Sequence, residues 1–160
     1  YRAIEATVLS SDQLPDLKLL IVGSNNTKEV EEYIKNKKAE DIVSVPGRID
    51  DINDWYSKAD LLVVPTQSES FGLVFLEAMG HGVPVIGTTG VPESVIPNED
   101  VGYRVDPNDI KQISNAIVKS HTRKWEAQII QRHARSFSWD KQISKYIDFY
   151  REALRIEQAE

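Results

Sequence analysis

Short apolar runs that alternate with helical stretches are the feature that most constrains the fold of this chain. The runs LKLLIV (17–22), DLLVV (60–64) and VPVI (83–86) have the length of strands, and each is followed by Gly or Pro. Strands that are apolar throughout and alternate with helices indicate a parallel sheet covered on both faces. We therefore predict an α/β fold, a Rossmann-like parallel sheet flanked by helices.

The remaining elements follow from the same periodicities. The predicted strands are 17–22, 42–45, 60–64, 83–86 and 102–105, and the predicted helices are 1–9, 27–38, 51–57, 71–81, 109–120, 124–136 and 139–154. Open parallel sheets bind ligands beyond the carboxyl ends of their strands. The loops after Val22, Val45, Val64 and Ile86 are therefore candidate sites, although most loops of this kind serve only as connections.

Size and charge exclude several classes of protein. The chain has 160 residues, enough for one globular domain. Its net charge of -6 makes nucleic acid an unexpected partner. The absence of cysteine excludes disulfides and thiolate metal sites, and it fits a cytoplasmic, reducing compartment. The longest apolar runs are far shorter than the roughly 20 residues of a membrane-spanning helix.

The loop after the strand at 60–64 leads into a helix with features of an anion site. Ser70 is the predicted N-cap, which would leave the amides of Phe71, Gly72 and Leu73 free to point into the crevice. Free amides and the helix dipole both favour phosphate, and Gly72 has no side chain to keep a ligand away. Many helices with a Ser cap bind no ligand, so the feature alone does not establish a site.

Two glutamates add to this loop. Glu77 lies in an apolar run, 73–79, and a helix that is apolar on every side is expected to be buried. A buried carboxylate needs a partner, and the vicinal hydroxyls of a ribose would supply one; His81, one turn further on, is the intramolecular alternative. Glu69 lies at the lip of the crevice, where it could meet a sugar, although a solvent-facing glutamate is the default for a loop.

At these residues the sequence resembles a known family. Two glutamates separated by seven residues, with Phe-Gly after the first and Leu-Glu-Ala-Met around the second, lie in the string ESFGLVFLEAMGHGVPVIGTTGVPE at 69–93. This string is similar to the donor-domain core of retaining glycosyltransferases with two Rossmann domains, the GT-B fold (group 1, family 4-like). The resemblance extends from YRAIEA through LKLLIVG to the helix at 139–150. It implies that residues 1–160 are a single donor-binding domain from the C-terminal half of such an enzyme.

The resemblance also implies roles for individual residues. Glu77 would hold the ribose hydroxyls of the donor nucleotide. Glu69 would contact the transferred sugar and help to organise the reacting centre, so it is the predicted catalytic residue. The other predicted donor-binding residues are Ser70, Phe71, Gly72, Leu73 and Val74 beside the sugar or diphosphate, Gly47, Arg48 and Ile49 beside the base, and Gly23 in the same crevice.

The sequence departs from the family pattern at its start. The family's donor domain begins with a strand and loop whose Arg and Lys neutralise the diphosphate, and Tyr1 follows no such segment. From the resemblance, we also expect the N-terminal domain, which holds the acceptor in glycogen-synthase-like relatives, to lie outside residues 1–160. We therefore expect a fragment without transfer activity of its own, and we expect the missing domain to bind the acceptor.

No metal site is predicted. His81, His121 and His133 lie far apart, with no acidic or cysteine partner at ligand spacing. The chain also lacks the Gly-x-Gly-x-x-Gly motif and the Lys-containing phosphate loop, which argues against NAD-dependent and ATPase functions. No cofactor is expected beyond the substrate, a nucleotide diphosphate sugar such as a UDP-, GDP- or ADP-sugar.

Two features near the C-terminus remain. The basic segment 123–135 is suited to peripheral contact with anionic lipid headgroups at the inner face of a membrane, but a solvated helix face is the commoner explanation. The aromatic residues Trp139, Tyr146, Phe149 and Tyr150 recur at helical spacing and are predicted to pack the last helix against the protein.

The resemblance implies a metal-independent transfer of a sugar from a nucleotide donor to a glycan, lipid or other acceptor, with retained anomeric configuration. The domain would position the donor and stabilise the departing diphosphate through helix amides. One alternative is a non-catalytic nucleotide-sugar sensor, which would have no need of Glu69. The other is a nucleotide-sugar epimerase of the same architecture, which the Phe-Gly and Glu-Ala-Met context disfavours.

Overall fold

The computed structural model describes residues 1–23 and 27–157 as a chain of alternating helices and strands. Within these residues the helices are α1 (Arg2–Ser11), α2 (Thr27–Asn36), α3 (Asn53–Tyr56), α4 (Leu73–Gly80), α5 (Ile110–Thr122), α6 (Ala127–Arg135) and α7 (Trp139–Glu157). The strands are β1 (Leu19–Val22), β2 (Val43–Gly47), β3 (Leu62–Val63), β4 (Val85–Thr88) and β5 (Gly102–Val105). Each element predicted from the sequence is confirmed, with ends that differ by a few residues.

The strands form two parallel sheets. β1 pairs with β2, and β3, β4 and β5 pair in that order. Leu19 lies opposite Val43 in the first sheet, and Leu62 lies opposite Val85 in the second. Parallel neighbours need a crossover connection. α2 lies on the crossover from β1 to β2 and α4 lies on the crossover from β3 to β4, whereas α3 lies between β2 and β3, which belong to different sheets. The prediction of a Rossmann-like α/β fold is confirmed, with the sheet divided into two parts.

β1 and β3 are less buried than the sequence predicts. Their residues are all half-buried, whereas β4 is buried throughout. The cause is their position, because each pairs with a single strand and residues 17–23 and 59–66 both line a cavity of about 2010 Å³. The prediction of a buried strand at 17–22 is therefore wrong in one respect: the strand forms, but it borders a cavity.

α4 is anchored in the main core. Its residues Phe75, Ala78 and Met79 are fully buried and share a cluster with Val85 of β4 and Ile130 of α6. Close-packed side chains of this kind leave little freedom for the helix to shift. The packing therefore fixes the start of α4 beside the carboxyl ends of β3 and β4.

The predicted packing of the last helix is wrong. The large apolar residues of α7 have exposed fractions from 44% to 77%: Trp139, Ile143, Tyr146, Ile147, Phe149, Tyr150 and Leu154. Helical periodicity shows that residues share a face, but it does not show that the same chain covers that face. The described part of the chain leaves it open.

The basic segment 123–135 is partly neutralised by neighbouring acids. Arg123 pairs with Glu99 and Asp100, each at 3.3 Å, and its guanidinium lies 4.9 Å from the centroid of the Trp125 ring. None of the described helices is long and apolar enough to cross a membrane. Contact of this segment with lipid headgroups stays a prediction.

Candidate functional site

The loop from β3 to α4 forms the centre of the candidate site. β3 ends at Val63. In the turn that follows, the Thr66 amide donates to Val64 O at 2.9 Å and the Thr66 hydroxyl donates to Ser68 O at 2.8 Å. This turn directs the chain towards Glu69 and the start of α4. The site therefore lies where the carboxyl end of a parallel strand meets a helix N-terminus, the usual ligand position in such sheets.

Gly72, and not Ser70, is the N-cap of α4. Gly72 has left-handed backbone angles (φ 83°, ψ 51°), and no side chain caps the helix. The prediction of a Ser70 cap is therefore wrong, because the left-handed turn starts the helix two residues later than expected. A Cβ at Gly72 would lie 2.7 Å from the Phe75 ring and 3.3 Å from Cγ of Glu69, so the position has room for glycine alone.

The first turn of α4 has amides available to a ligand. The Phe75 amide donates to Gly72 O at 3.0 Å, whereas the amides of Leu73 and Val74 have no acceptor among the described residues. Since a helix N-terminus without a capping side chain attracts anions, these two amides are suited to a phosphate or a sugar oxygen. The side chains of Phe71 and Leu73 are exposed, 42% and 63% respectively.

Glu69 is held against the start of the helix. Its Oε1 accepts from the Ser70 amide at 3.0 Å, and its Cγ lies beside Gly72. The side chain is half-buried. Because Glu69 and Gly72 are in contact, the structure brings the predicted catalytic residue to the helix N-terminus.

Glu77 is exposed, which contradicts the buried environment predicted for it. α4 is apolar around most of its surface, but it buries only the face of Phe75, Ala78 and Met79, and Glu77 lies outside that face. The carboxylate has a partner all the same: the Tyr56 hydroxyl donates to Glu77 Oε2 at 3.1 Å.

The intramolecular alternative, His81, is engaged elsewhere. Its Nε2 lies 3.1 Å from Oδ1 of Asn53 and its Nδ1 lies 3.3 Å from Oγ of Ser57. These contacts join the end of α4 to α3. Tyr56 belongs to the same short helix, and sequence reasoning did not identify it as a site residue. The sequence predicted the helix at 51–57, but nothing in it indicated the contact between Tyr56 and Glu77.

Burial and charge both act on Tyr56. The residue is 6% exposed, and its ring lies 5.7 Å from the His81 ring at 31°. Burial first, and then the nearby Glu77 carboxylate, raises the pKa of the Tyr56 hydroxyl well above its ordinary value. The hydroxyl therefore remains a donor to Glu77 over the whole physiological pH range.

The residues predicted to contact the base lie after β1 and β2. Gly23 and Gly47 are brought together, because the Gly23 amide donates to Gly47 O at 3.0 Å. Arg48 is exposed and Ile49 is half-buried in the segment that leads from β2 towards α3. In the described residues no hydrogen bond joins these four residues to Glu69 or Glu77. α3 follows Arg48 and Ile49 in the chain, and its Tyr56 contacts Glu77.

The end of β4 and the loop after it both contact the loop between β3 and α4. The Thr88 hydroxyl donates to Thr66 O at 2.7 Å. A Cβ at Gly90 would lie 2.5 Å from Gln67 O, so the two loops are in close contact. Sequence reasoning gave Gly90 no role, since only its distance from the other loop shows the need for glycine. Within the described residues, no group of three or more potential metal ligands is assembled.

Comparison with known proteins identifies relatives of this chain. The family model "Glycosyl transferases group 1" matches residues 1–122. The D-inositol 3-phosphate glycosyltransferase of Salinispora tropica is 37% identical over 114 residues, which cover 68% of this chain and 24% of that protein. The N-acetyl-alpha-D-glucosaminyl L-malate synthase of Bacillus anthracis is 33% identical over 148 residues, 88% of this chain and 39% of that protein. The chain thus spans a minor part of the length of both relatives.

A solved structure supports the fold independently. The crystal structure of the pneumococcal O-GlcNAc transferase GtfA in complex with UDP and GlcNAc matches 96% of this chain and 33% of its own, with a TM-score of 0.77 and 24% identity. The likeness confirms the predicted Rossmann-like half of a GT-B fold. Since the family model covers residues 1–122, well over half of the chain, the protein belongs to the group 1 glycosyltransferases.

Proposed function

We propose that this chain is the donor-binding domain of a retaining, metal-independent glycosyltransferase that uses a nucleotide diphosphate sugar. The observation that carries the proposal is the arrangement around the start of α4. There, in a chain of the group 1 family, two amides have no acceptor among the described residues. Glu69 lies beside Gly72, and Glu77 lies one turn further along the helix. This arrangement supplies donors for a phosphate and acceptors for sugar hydroxyls.

The amides of Leu73 and Val74 would bind the diphosphate or an oxygen of the transferred sugar. As the bond to the leaving group breaks, negative charge grows on the diphosphate, and donors that are already oriented stabilise that charge without further reorganisation. The chain's net charge of -6 does not attract polyanions over long distances. Donor binding would therefore depend on this local geometry.

Glu77 would accept hydrogen bonds from the ribose hydroxyls, and Glu69 would contact the transferred sugar. Glu77 is exposed and can be reached by a ligand. Glu69 lies beside Gly72, so a sugar bound at the helix N-terminus would be within its reach. The UDP bound in the related pneumococcal enzyme supports a nucleoside diphosphate as the ligand class, and UDP-, GDP- and ADP-sugars are the candidate donors.

We further propose that the acceptor, a glycan, a lipid or another molecule, binds outside these residues. The chain covers 24% and 39% of the two relatives compared, which leaves room for a second domain in a longer enzyme. Among the described residues, β1 and β3 both line the cavity and each pairs with a single strand, so each has an edge at which a further strand of a longer enzyme would pair.

The binding proposal is tested with Glu77→Ala. Isothermal titration with UDP, GDP and ADP identifies the preferred nucleotide, and its Kd should rise about tenfold in the variant, because hydrogen bonds to a charged group are lost. Lys124→Ala, an exposed change on the segment between α5 and α6, is the control. Unchanged affinity in Glu77→Ala would disprove the ribose assignment.

The catalytic proposal is tested with Glu69→Ala in the protein at its full native length. Turnover should fall by at least about a hundredfold while the Kd for the nucleotide changes little, because the side chain would act on the reacting sugar. Product NMR should show a retained anomeric configuration, and a chelator should leave the rate unchanged. Tight nucleotide binding without transfer would instead favour a sensor, and a free epimerised sugar nucleotide would favour an epimerase.

A further inference from the structure

Tyr56 connects two parts of the molecule that the proposed function uses separately. It lies on α3, which follows the segment with Gly47 and Arg48, and its hydroxyl reaches Glu77 on α4, 21 residues further along. Its ring packs in the same core cluster as Phe75 and Met79. The hydroxyl is thus the polar end of a side chain whose ring is fixed by packing.

α3 is itself fastened to α4. His81 contacts Asn53 and Ser57, and its ring lies against the ring of Tyr56. The Tyr56 amide also donates to Ile52 O at 3.0 Å. A tyrosine has two side-chain torsions, and a ring that is buried in this way has little freedom in either. The position of the hydroxyl is therefore determined by the core and not by solvent.

The Glu77 carboxylate accepts no second hydrogen bond from the residues that the structure describes. Tyr56 donates to Oε2 of Glu77, and no donor among the described residues reaches Oε1. An exposed glutamate without a fixed partner samples several rotamers, and ordering it on binding costs free energy. A glutamate held at one oxygen loses less freedom when a ligand binds at the other.

We infer that Tyr56 is a positioning residue for the nucleotide: its hydroxyl orients the Glu77 carboxylate so that Oε1 accepts a hydrogen bond from one ribose hydroxyl. The inference rests on the proposed function, because it requires Glu77 to contact the ribose. It adds to that function a residue from a different element, and it explains how a glutamate on an exposed helix face can favour a ribonucleotide over a deoxyribonucleotide.

The experiment compares affinities for ribonucleotides and deoxyribonucleotides in the protein at its full native length. The preferred diphosphate among UDP, GDP and ADP is titrated beside its 2′-deoxy and 3′-deoxy counterparts, with the wild type and with Tyr56→Phe. We expect Tyr56→Phe to weaken the ribonucleotide about five- to tenfold. The same substitution should weaken binding of the deoxynucleotide that lacks the contacted hydroxyl by less than about twofold. The preference for the ribonucleotide over that deoxynucleotide therefore falls.

Tyr33→Phe is the matched control. Tyr33 also donates to a glutamate, Glu5 Oε1 at 2.7 Å, but it does so between α2 and α1. The Tyr33→Phe variant should leave the preference for the ribonucleotide unchanged. Thermal unfolding of both variants shows whether they fold. We expect Tyr56→Phe to fold, because a phenylalanine ring keeps the buried contacts of the tyrosine ring.

The outcomes separate the inference from the proposed function. If Glu77→Ala weakens nucleotide binding and Tyr56→Phe leaves the ribose preference intact, the positioning role is wrong while the ribose assignment stands. If Tyr56→Phe weakens binding of the ribonucleotide, the 2′-deoxynucleotide and the 3′-deoxynucleotide equally, the role of Tyr56 is structural and the positioning role is wrong. If Glu77→Ala itself has no effect, the proposed function fails first. The inference is supported if Tyr56→Phe reduces the preference for the ribonucleotide. In addition, the double variant, Tyr56→Phe with Glu77→Ala, should bind the ribonucleotide no more weakly than Glu77→Ala alone.

Discussion

At the scale of single residues, Gly72 has the most demanding position in the candidate site. It combines a φ of +83° with neighbours at 2.7 Å and 3.3 Å from any added Cβ, Phe75 and Glu69 respectively. We predict that Gly72→Ala lowers the free energy of unfolding by about 1–3 kcal/mol, because the left-handed backbone strains an L residue and the methyl group displaces a neighbour. Urea unfolding monitored by circular dichroism measures this loss.

Gly23→Ala is the control for that prediction. Its φ of +81° is almost the same, but no described atom lies within 4 Å of an added Cβ. This variant should show the backbone strain alone, roughly 1 kcal/mol. The difference between the two variants isolates the steric contribution at Gly72, and equal losses would contradict the close contact with Phe75.

Single residues also show what sequence reasoning could and could not find. Glu69, Gly72 and Glu77 could be predicted as site residues because they lie in one continuous motif, at the junction of a strand, a loop and a helix. Tyr56 could not be predicted, because its contact with Glu77 depends on where a separate short helix packs. The burial of Glu77 was misjudged for a related reason: composition alone does not tell which face of a helix the core covers.

At the scale of elements, α1 and α2 meet through a charged cluster. Glu5 Oε1 accepts from the Lys37 ammonium at 2.8 Å and from the Tyr33 hydroxyl at 2.7 Å. The hydrogen bond from Lys37, and then that from Tyr33, lowers the pKa of Glu5 below its ordinary 4.5. A carboxylate with a lowered pKa stabilises the folded state above its unfolded pKa, and this contribution is lost as the pH falls through the folded value.

We therefore predict a pH-dependent effect of Glu5→Gln. The variant should have a lower urea midpoint than the wild type at pH 7, and the difference should shrink as the pH falls below about 4.5. Urea unfolding at a series of pH values measures it. Lys37→Met removes the other partner of the same ion pair. The loss of stability in the double variant, Glu5→Gln with Lys37→Met, should therefore not exceed the sum of the losses in the two single variants. A difference that stays constant down to low pH would contradict the role of the Glu5 charge.

The ends of elements were harder to predict than their existence. Apolar side chains at helical spacing located the helices, and short apolar runs located the strands. The start of α4 was predicted at 71 and lies at Leu73, since the left-handed Gly72 sets the first helical residue. The apolar pattern reports which side chains are buried, but it does not report the backbone angles of the residue at which a helix begins.

At the scale of the whole molecule, the sequence indicated a parallel α/β fold but not its division into two sheets. Strand type is a local property, whereas the pairing of β3 with β4 and the open sides of β1 and β3 depend on which segments lie side by side. The same limit applies to α7. Its aromatic stripe was recognised at helical spacing, but the partner of that stripe could not be predicted from spacing.

The exposed stripe of α7 leads to a prediction for the 160-residue chain. Ending the chain at Ser138 should shift its thermal midpoint by less than about 4 °C, because residues that are mostly exposed contribute little to the free energy of unfolding. The same truncation should reduce binding of the dye ANS, which reports exposed apolar surface. Differential scanning fluorimetry and dye titration measure the two effects.

Replacing Tyr146 and Tyr150 with lysine in the intact chain separates the aromatic stripe from the helix that carries it. These two residues are 58% and 63% exposed, so the double variant should keep its thermal midpoint and bind less dye than the unchanged chain. A fall of 10 °C or more in the truncated chain alone, at roughly 2–4 °C for each kcal/mol, would mean that α7 stabilises the domain by several kcal/mol. Unfolding would then depend on contacts of the helix as a whole, and the exposed aromatic residues would be incidental to its packing.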